Sequence, residues 1–195
     1  MHNGDWCACP DFCYWLSPLS ELERKVIGII GFGSIGHRVA HIAESFGMKV
    51  LICSRSEKDL TEFKNAEQVD LDAVLENSDY VTCHCPLTEE TTGMINVSAL
   101  NKMKNSAVLI NTSRGPVVDE EALADALNSN RIAGAALDVL KTEPADLANP
   151  LLKAKNCVIT PHIAWAAQET RQRLLEILDE NISCYLSGKP QNKVN

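Results

Sequence analysis

Short apolar runs alternate with polar segments of helical spacing along most of this chain. The first run, Val26 to Ile30 (VIGII), is rich in β-branched residues, as in a strand buried on both faces of a parallel sheet. After it Ile35, Val39, Ile42, Ala43 and Phe46 recur at helical spacing, and Gly47 supplies a C-terminal stop. The rhythm then repeats. Met48 to Cys53 predicts a second buried strand and Asp59 to Phe63 a short helix. Leu71, Val74 and Leu75 mark a helix face ending near Asn77, and Tyr80 to Cys85 is a strand stopped by Pro86. Val97 to Met103 reads as a short helix and Ala107 to Ile110 as a strand. Asp119 is placed to cap a helix lined by Ala122, Leu123, Ala126 and Leu127. Ile132 to Leu137 and Val158 to Thr160 are the last strands expected. Leu174, Leu175, Ile177, Leu178 and Ile182 then stripe a long amphipathic helix. Strands alternating with helices predict an α/β fold, a doubly wound parallel sheet with helices on both faces. Residues 1–25 fit no period. Trp6, Phe12, Tyr14 and Trp15 crowd there between Pro10 and Pro18, a composition suited to packing on another surface.

Between the first strand and its helix lies Gly31-Phe32-Gly33-Ser34-Ile35-Gly36, a GxGxxG in the strand–turn–helix context that gives the motif its meaning. Gly31 permits the tight turn, Gly33 lets the backbone approach a pyrophosphate, and Gly36 lets the helix lie close to the strand. The helix N-terminus offers free N–H donors to the anion. The competing reading is a glycine turn that binds nothing. With the context, the sheet reads as Rossmann-like.

The chain has 195 residues, which suits one large domain or one domain with a small appendage, and 45 % of them are hydrophobic, enough for a substantial core. Its formal net charge of -8, without a basic stripe, argues against nucleic acid as a partner. No apolar run approaches the roughly 18 residues of a membrane span. MHNGDWCACP lacks the apolar core of a signal peptide. A cytoplasmic protein is expected. Of the eight cysteines, Cys53, Cys83, Cys85 and Cys157 fall in or beside strands and act as small apolar residues. Only Cys7, Cys9 and Cys13 cluster, and C-x-C-x3-C matches no common structural zinc spacing. No metal is expected and all eight cysteines are read as reduced thiols.

The unusual polar residues gather just past the carboxyl ends of the strands: Gly31, then Ser54 and Arg55, Pro86, Asn111 to Arg114, Asp138 and His162. Ligands of open α/β sheets bind in that crevice. Arg114 in NTSRG can hold a carboxylate through two hydrogen bonds, and His162 in TPHIAW can exchange a proton near neutral pH. Glu143 in DVLKTEP would favour the imidazolium and fix its orientation. Set against a dinucleotide, this trio points to hydride transfer to a 2-oxo acid. Singly, each has an ordinary reading: a loop salt bridge, a turn, a structural hydrogen bond.

The motifs PDFCYW at 10–15, GIIGFGSIGHRVA at 28–40, CHCPLTEETTGMIN at 83–96, LINTSRGPVVDEEAL at 109–123 and TPHIAW at 160–165 occur in one order. Over almost the whole chain they resemble the nucleotide-binding domain of the D-isomer-specific 2-hydroxyacid dehydrogenases, nearest the glycerate dehydrogenase or hydroxypyruvate reductase branch. The resemblance implies that Arg114, Glu143 and His162 are catalytic. It implies that Asp138 faces the nicotinamide carboxamide and that Thr112 and the Cys85–Pro86 backbone line the cofactor groove. It also implies a homodimer and a small 2-oxo or 2-hydroxy acid as substrate.

Two departures stand out. NAD-specific members carry an acidic residue after the second strand, where this chain has Ser54, Arg55 and Ser56. NAD(H) and NADP(H) both stay open, and Arg55 tips the expectation toward NADP(H). The family's N-terminal substrate domain is also largely absent. Residues 1–25 then read as a hinge or crossover, 26–165 as the dinucleotide-binding domain, and 166–195 as a helix and tail returning toward the substrate domain. Trp165 is read either as a wall of the substrate pocket or as core. Such a chain would bind a dinucleotide but turn over poorly. A non-catalytic dinucleotide sensor, or an inert fragment needing a partner half, is the alternative.

Overall fold

The computed structural model describes residues 4–16 and 19–194, so the sequence reading of Pro18 lies outside the described residues. Seven strands form one sheet in the order β3-β2-β1-β4-β5-β6-β7. They are β1 (Val26–Ile30), β2 (Lys49–Cys53), β3 (Ala66–Gln68), β4 (Tyr80–Cys83), β5 (Val108–Asn111), β6 (Gly134–Leu137) and β7 (Cys157–Ile159). Every pairing is parallel. The order reverses at β1, where β2 lies on one side and β4 on the other, so a topological switch point opens beyond the carboxyl end of β1.

The helices are α1 (Ser34–Ser45), α2 (Leu71–Asn77), α3 (Val97–Lys102), α4 (Glu120–Asn128) and α5 (Gln168–Leu186). Asp70, Asn96 and Asp119 cap α2, α3 and α4 by accepting first-turn N–H groups. The central strands are buried on both faces and divide the core in two. Ile27, Ile29, Val50 and Ile52 face one cluster with Ala40 and Ala43 of α1. Ile30, Leu51, Val81 and Leu109 face the other, with Val74, Leu100 and Leu123 of α2 to α4. The alternation follows from the period of two in a strand.

Three expectations change. Residues 59–63 form turns rather than a helix, because the Asp59 carboxylate accepts the Thr61 N–H and hydroxyl and so offers the backbone another partner. The edge strand β3 was not anticipated; three residues, AEQ, carry no apolar pattern. The face of α1 that packs on the sheet is Gly36, Ala40 and Ala43, while Ile35, Ile42 and Phe46 of the predicted stripe are exposed. Small residues let the helix axis approach the sheet, and the large ones turn outward. Gly47, at φ +74°, does end α1. The helix α5 forms as expected but buries none of its residues, and Leu174, Leu175, Ile177, Leu178 and Ile182 all remain exposed. Among the described residues no helix is long and apolar enough to cross a membrane.

Candidate functional site

The loop from β1 into α1 is shaped by its glycines. Gly31 has φ +95°, and a Cβ there would sit 2.6 Å from the Cys85 nitrogen. A Cβ on Gly36 would collide with the Gly31 carbonyl oxygen, so the first turn of α1 needs glycine to lie over its own loop. Gly33 differs: its φ is -90°, and a Cβ there would meet nothing within 4 Å. The space in front of Gly33 is therefore open, and α1 starts there with no side-chain cap and no acidic residue in its first turn. Unclaimed N–H donors, a positive helix end and an open approach suit a pyrophosphate. The residues present thus fit a dinucleotide.

A cavity of about 300 Å³ lies beside this loop. Of the expected cofactor residues, Gly31, Phe32, Gly33, Ser54, Arg55, Cys85 and Pro86 line it. Ser34, Ile35 and Gly36 stand behind the rim in the first turn of α1, and Ile35 is 67 % exposed. Thr112 does not line it. Lys58 and His84 do, and the sequence reading did not single out either. Lys58 could have been noticed as a second cation four residues beyond Ser54. The His84 imidazole lies 3.0 Å from the Thr82 hydroxyl, and burial lowers its pKa by disfavouring the charged ring. Arg55 extends into solvent, 3.8 Å from the Glu90 carboxylate. So exposed a pair contributes little and yields readily to a ligand.

Past β6 and β7 a second cavity of about 620 Å³ is lined by Asp138, Leu140, Glu143, Thr160, Pro161 and His162, among others. His162 Nδ1 lies 2.7 Å from Glu143 Oε2. The other Glu143 oxygen accepts the Leu140 N–H at 2.9 Å, so the carboxylate is fixed by its own loop. That loop is tied down in turn by Glu120, which accepts the Lys141 N–H and the Asn149 side-chain amide. The His162 hydrogen bond, joined by the Leu140 N–H, holds the Glu143 carboxyl below its ordinary range against a smaller opposing effect of desolvation. With Nδ1 committed to Glu143, Nε2 is the His162 ring nitrogen left for another partner.

Asp138 is buried and organises the same loop. Its carboxylate accepts the Ile163 and Ala164 N–H groups, each at 2.9 Å, and the Thr160 hydroxyl. Its backbone carbonyl accepts the His162 N–H at 2.8 Å, while His162 adopts φ +53°. Burial pushes the Asp138 carboxyl up, and the hydrogen bonds from Thr160, Ala164 and Ile163 outweigh it, leaving the pKa lowered. Arg114 is the outlying member of the expected trio. Its guanidinium donates to the Ser113 carbonyl at 2.7 Å and does not line the His162 cavity. Asn111 shapes the turn that carries Arg114, accepting from Ser113 and donating to the Arg114 carbonyl. Trp165 is half exposed, which removes the core reading of that residue.

Residues 1–164 match the model of the D-isomer specific 2-hydroxyacid dehydrogenase, NAD binding domain. The whole chain is 47 % identical to a hydroxypyruvate reductase of Blautia hydrogenotrophica and covers 61 % of it. It is 42 % identical over 196 aligned residues to a glycerate dehydrogenase of Methylorubrum extorquens, covering 60 % of that protein. The chain therefore spans about three fifths of the length of these curated relatives. Among solved structures, an acyclic imino acid reductase in complex with NADPH and D-Arg superposes with a TM-score of 0.86 at 37 % identity, over 100 % of this chain and 61 % of that one. The NAD-complexed D-isomer specific 2-hydroxyacid dehydrogenase of Lactobacillus delbrueckii ssp. bulgaricus gives 0.81 at 33 %, over 95 % and 60 %. With a nicotinamide dinucleotide held by both of those neighbours, and the glycine loop and switch-point sheet in place here, the chain belongs to the D-isomer specific 2-hydroxyacid dehydrogenase family as its NAD-binding domain.

Proposed function

We propose that this chain is the coenzyme half of an oxidoreductase that moves a hydride between NAD(P)H and a small 2-oxo acid of the hydroxypyruvate or glyoxylate type. The observation that carries the reading is the His162–Glu143 pair at 2.7 Å, set in a cavity at the same end of the sheet as the open glycine loop. The nicotinamide supplies the hydride when bound. The Ser34 to Gly36 amides and the Gly33 backbone would hold the pyrophosphate, Cys85 and Pro86 border the groove, and Asp138 would face the nicotinamide carboxamide. Arg114 rotates from the Ser113 carbonyl to clamp the substrate carboxylate and polarise its carbonyl. His162 delivers a proton from Nε2 to the forming alkoxide, or removes the hydroxyl proton in reverse, while the Glu143 carboxylate stabilises the imidazolium form of His162.

His162 and Glu143 keep 43 % and 37 % of their side-chain surface exposed, whereas hydride transfer requires a dry, closed cleft. We therefore assign the aromatic arm at 4–16, with Phe12 and Trp15 exposed, and the apolar stripe of α5 to contacts with a substrate-binding half. A homodimer and a cytoplasmic location belong to the same reading. Arg55 and Lys58 at the rim, with no carboxylate at positions 54–56 directly after β2, favour NADP(H), whose 2′-phosphate they would meet.

Fluorescence titration with NADH and NADPH, followed by hydroxypyruvate-dependent oxidation, tests the proposal. The 195-residue chain binds NADPH more tightly than NADH and turns over slowly. Tenfold tighter NADH refutes the preference. Robust turnover refutes the need for a second half. His162→Gln separates an enzyme from a dinucleotide sensor: binding survives and the residual turnover disappears.

A further inference from the structure

A second group of chemistry-bearing side chains lies on the outer face of α1, and the proposed hydride transfer does not use it. His37 and His41 stand one helical turn apart, so their rings share a face. Glu62, from the connection between β2 and β3, reaches both: Oε1 is 2.6 Å from His37 Nε2 and Oε2 is 2.9 Å from His41 Nε2. One donor atom from each of the three residues lies within 4.8 Å of the other two.

The group is held in place from behind. The His37 and His41 rings meet edge to face at 4.9 Å, and the buried Phe63 ring packs 5.5 Å from the first and 4.4 Å from the second. Phe32 closes on His37 at 5.5 Å. The loop that presents Glu62 is pinned on both sides, by Asp59 accepting from Thr61 and by Glu44 accepting the Lys64 and Asn65 N–H groups at 2.6 and 2.7 Å. In front, the three side chains stay open to solvent, with 40 %, 38 % and 49 % of their surfaces exposed for His37, His41 and Glu62.

We infer that His37, His41 and Glu62 form a binding site for one divalent transition-metal ion of the zinc class. Two imidazole nitrogens and a carboxylate oxygen are the donors such an ion takes, with a further position left to water. Magnesium and calcium favour sets built of oxygen alone. An ion at about 2.0–2.2 Å from each donor takes the place of the contacts that His37 and His41 Nε2 now make with Glu62. The site lies where the sequence reading expected no metal. His37-x3-His41 was visible on the helix, but its third member stands 21 residues beyond His41 on another loop. The ion fastens the β2–β3 connection to α1. The coenzyme cavity lies between those two elements, since Gly33 opens α1 and Ser54 to Lys58 open the connection. Metal therefore stiffens the rim of that cavity.

Titration of the full chain with Co²⁺, read by visible absorption and calorimetry, tests this. One equivalent binds with d–d bands and no thiolate charge-transfer band, and Zn²⁺ displaces it. His41→Ala and Glu62→Gln each weaken binding by at least about tenfold while the far-UV circular dichroism is unchanged. Zn²⁺ raises the melting temperature of the parent chain and not of either variant. Failure of Co²⁺ to saturate overturns the assignment. So does equal binding by both variants, or a thiolate band that places the ion on Cys7, Cys9 and Cys13.

Discussion

Asp138 holds the His162 loop with three hydrogen bonds to one buried carboxylate, and its consequences can be measured separately from catalysis. Its folded pKa lies below the ordinary value near 4. A group of that kind stabilises fully above its unfolded pKa, and the contribution is lost as pH falls through the lower folded value. Asp138→Asn is expected to cost about 2–3 kcal/mol at pH 7 and to flatten the acid limb of the stability curve. Urea unfolding of both proteins between pH 7 and pH 3 checks this. Glu143→Gln keeps the shape of the His162 pair but not its charge. In an assembled enzyme it lowers kcat by roughly 10²–10⁴ and leaves dinucleotide affinity unchanged. The two substitutions are read differently, Asp138→Asn by stability and Glu143→Gln by turnover. Cysteine reactivity follows burial. Cys83 is fully buried with its thiol pKa pushed up, whereas Cys7 and Cys13 are exposed. A disulfide exchange reagent labels Cys7 and Cys13 quickly in the native chain and Cys83 only after unfolding.

At the scale of elements, β1 and α1 do most to place the site. Gly36→Ala pushes a methyl group into the Gly31 carbonyl and is expected to cost about 1–3 kcal/mol, seen as a lower melting temperature. Much of this layer was legible in the sequence. The apolar runs of β1, β2, β4 and β5 and the cap Asp119 have local causes that a sequence carries, while the caps Asp70 and Asn96 are seen only in the structure. What escaped depends on neighbours. The strand β3 exists because Val50 and Ile52 of β2 offer it partners, not because AEQ favours extension. The α1 stripe misled because small residues won the buried face. In the site, Glu143 and His162 were legible as motifs. Lys58 carried a local signal that was not used, and His84 carried none, since only the fold brings it to the Gly31 loop.

The whole molecule is a sheet with two well-buried core clusters and large apolar surfaces left outside them. Phe12, Trp15 and Leu16 on the arm, and the full length of α5, contribute to those surfaces. The central claim is that a pyrophosphate crosses the open Gly33 backbone and delivers its nicotinamide toward His162. Gly33→Val isolates it, because φ there is -90° and a Cβ meets nothing of the protein within 4 Å. The measurement is a fluorescence titration with NADPH, paired with a melting curve lacking ligand. The predicted result is an unchanged melting temperature with affinity at least about tenfold weaker. Unchanged affinity in a folded Gly33→Val chain contradicts the account.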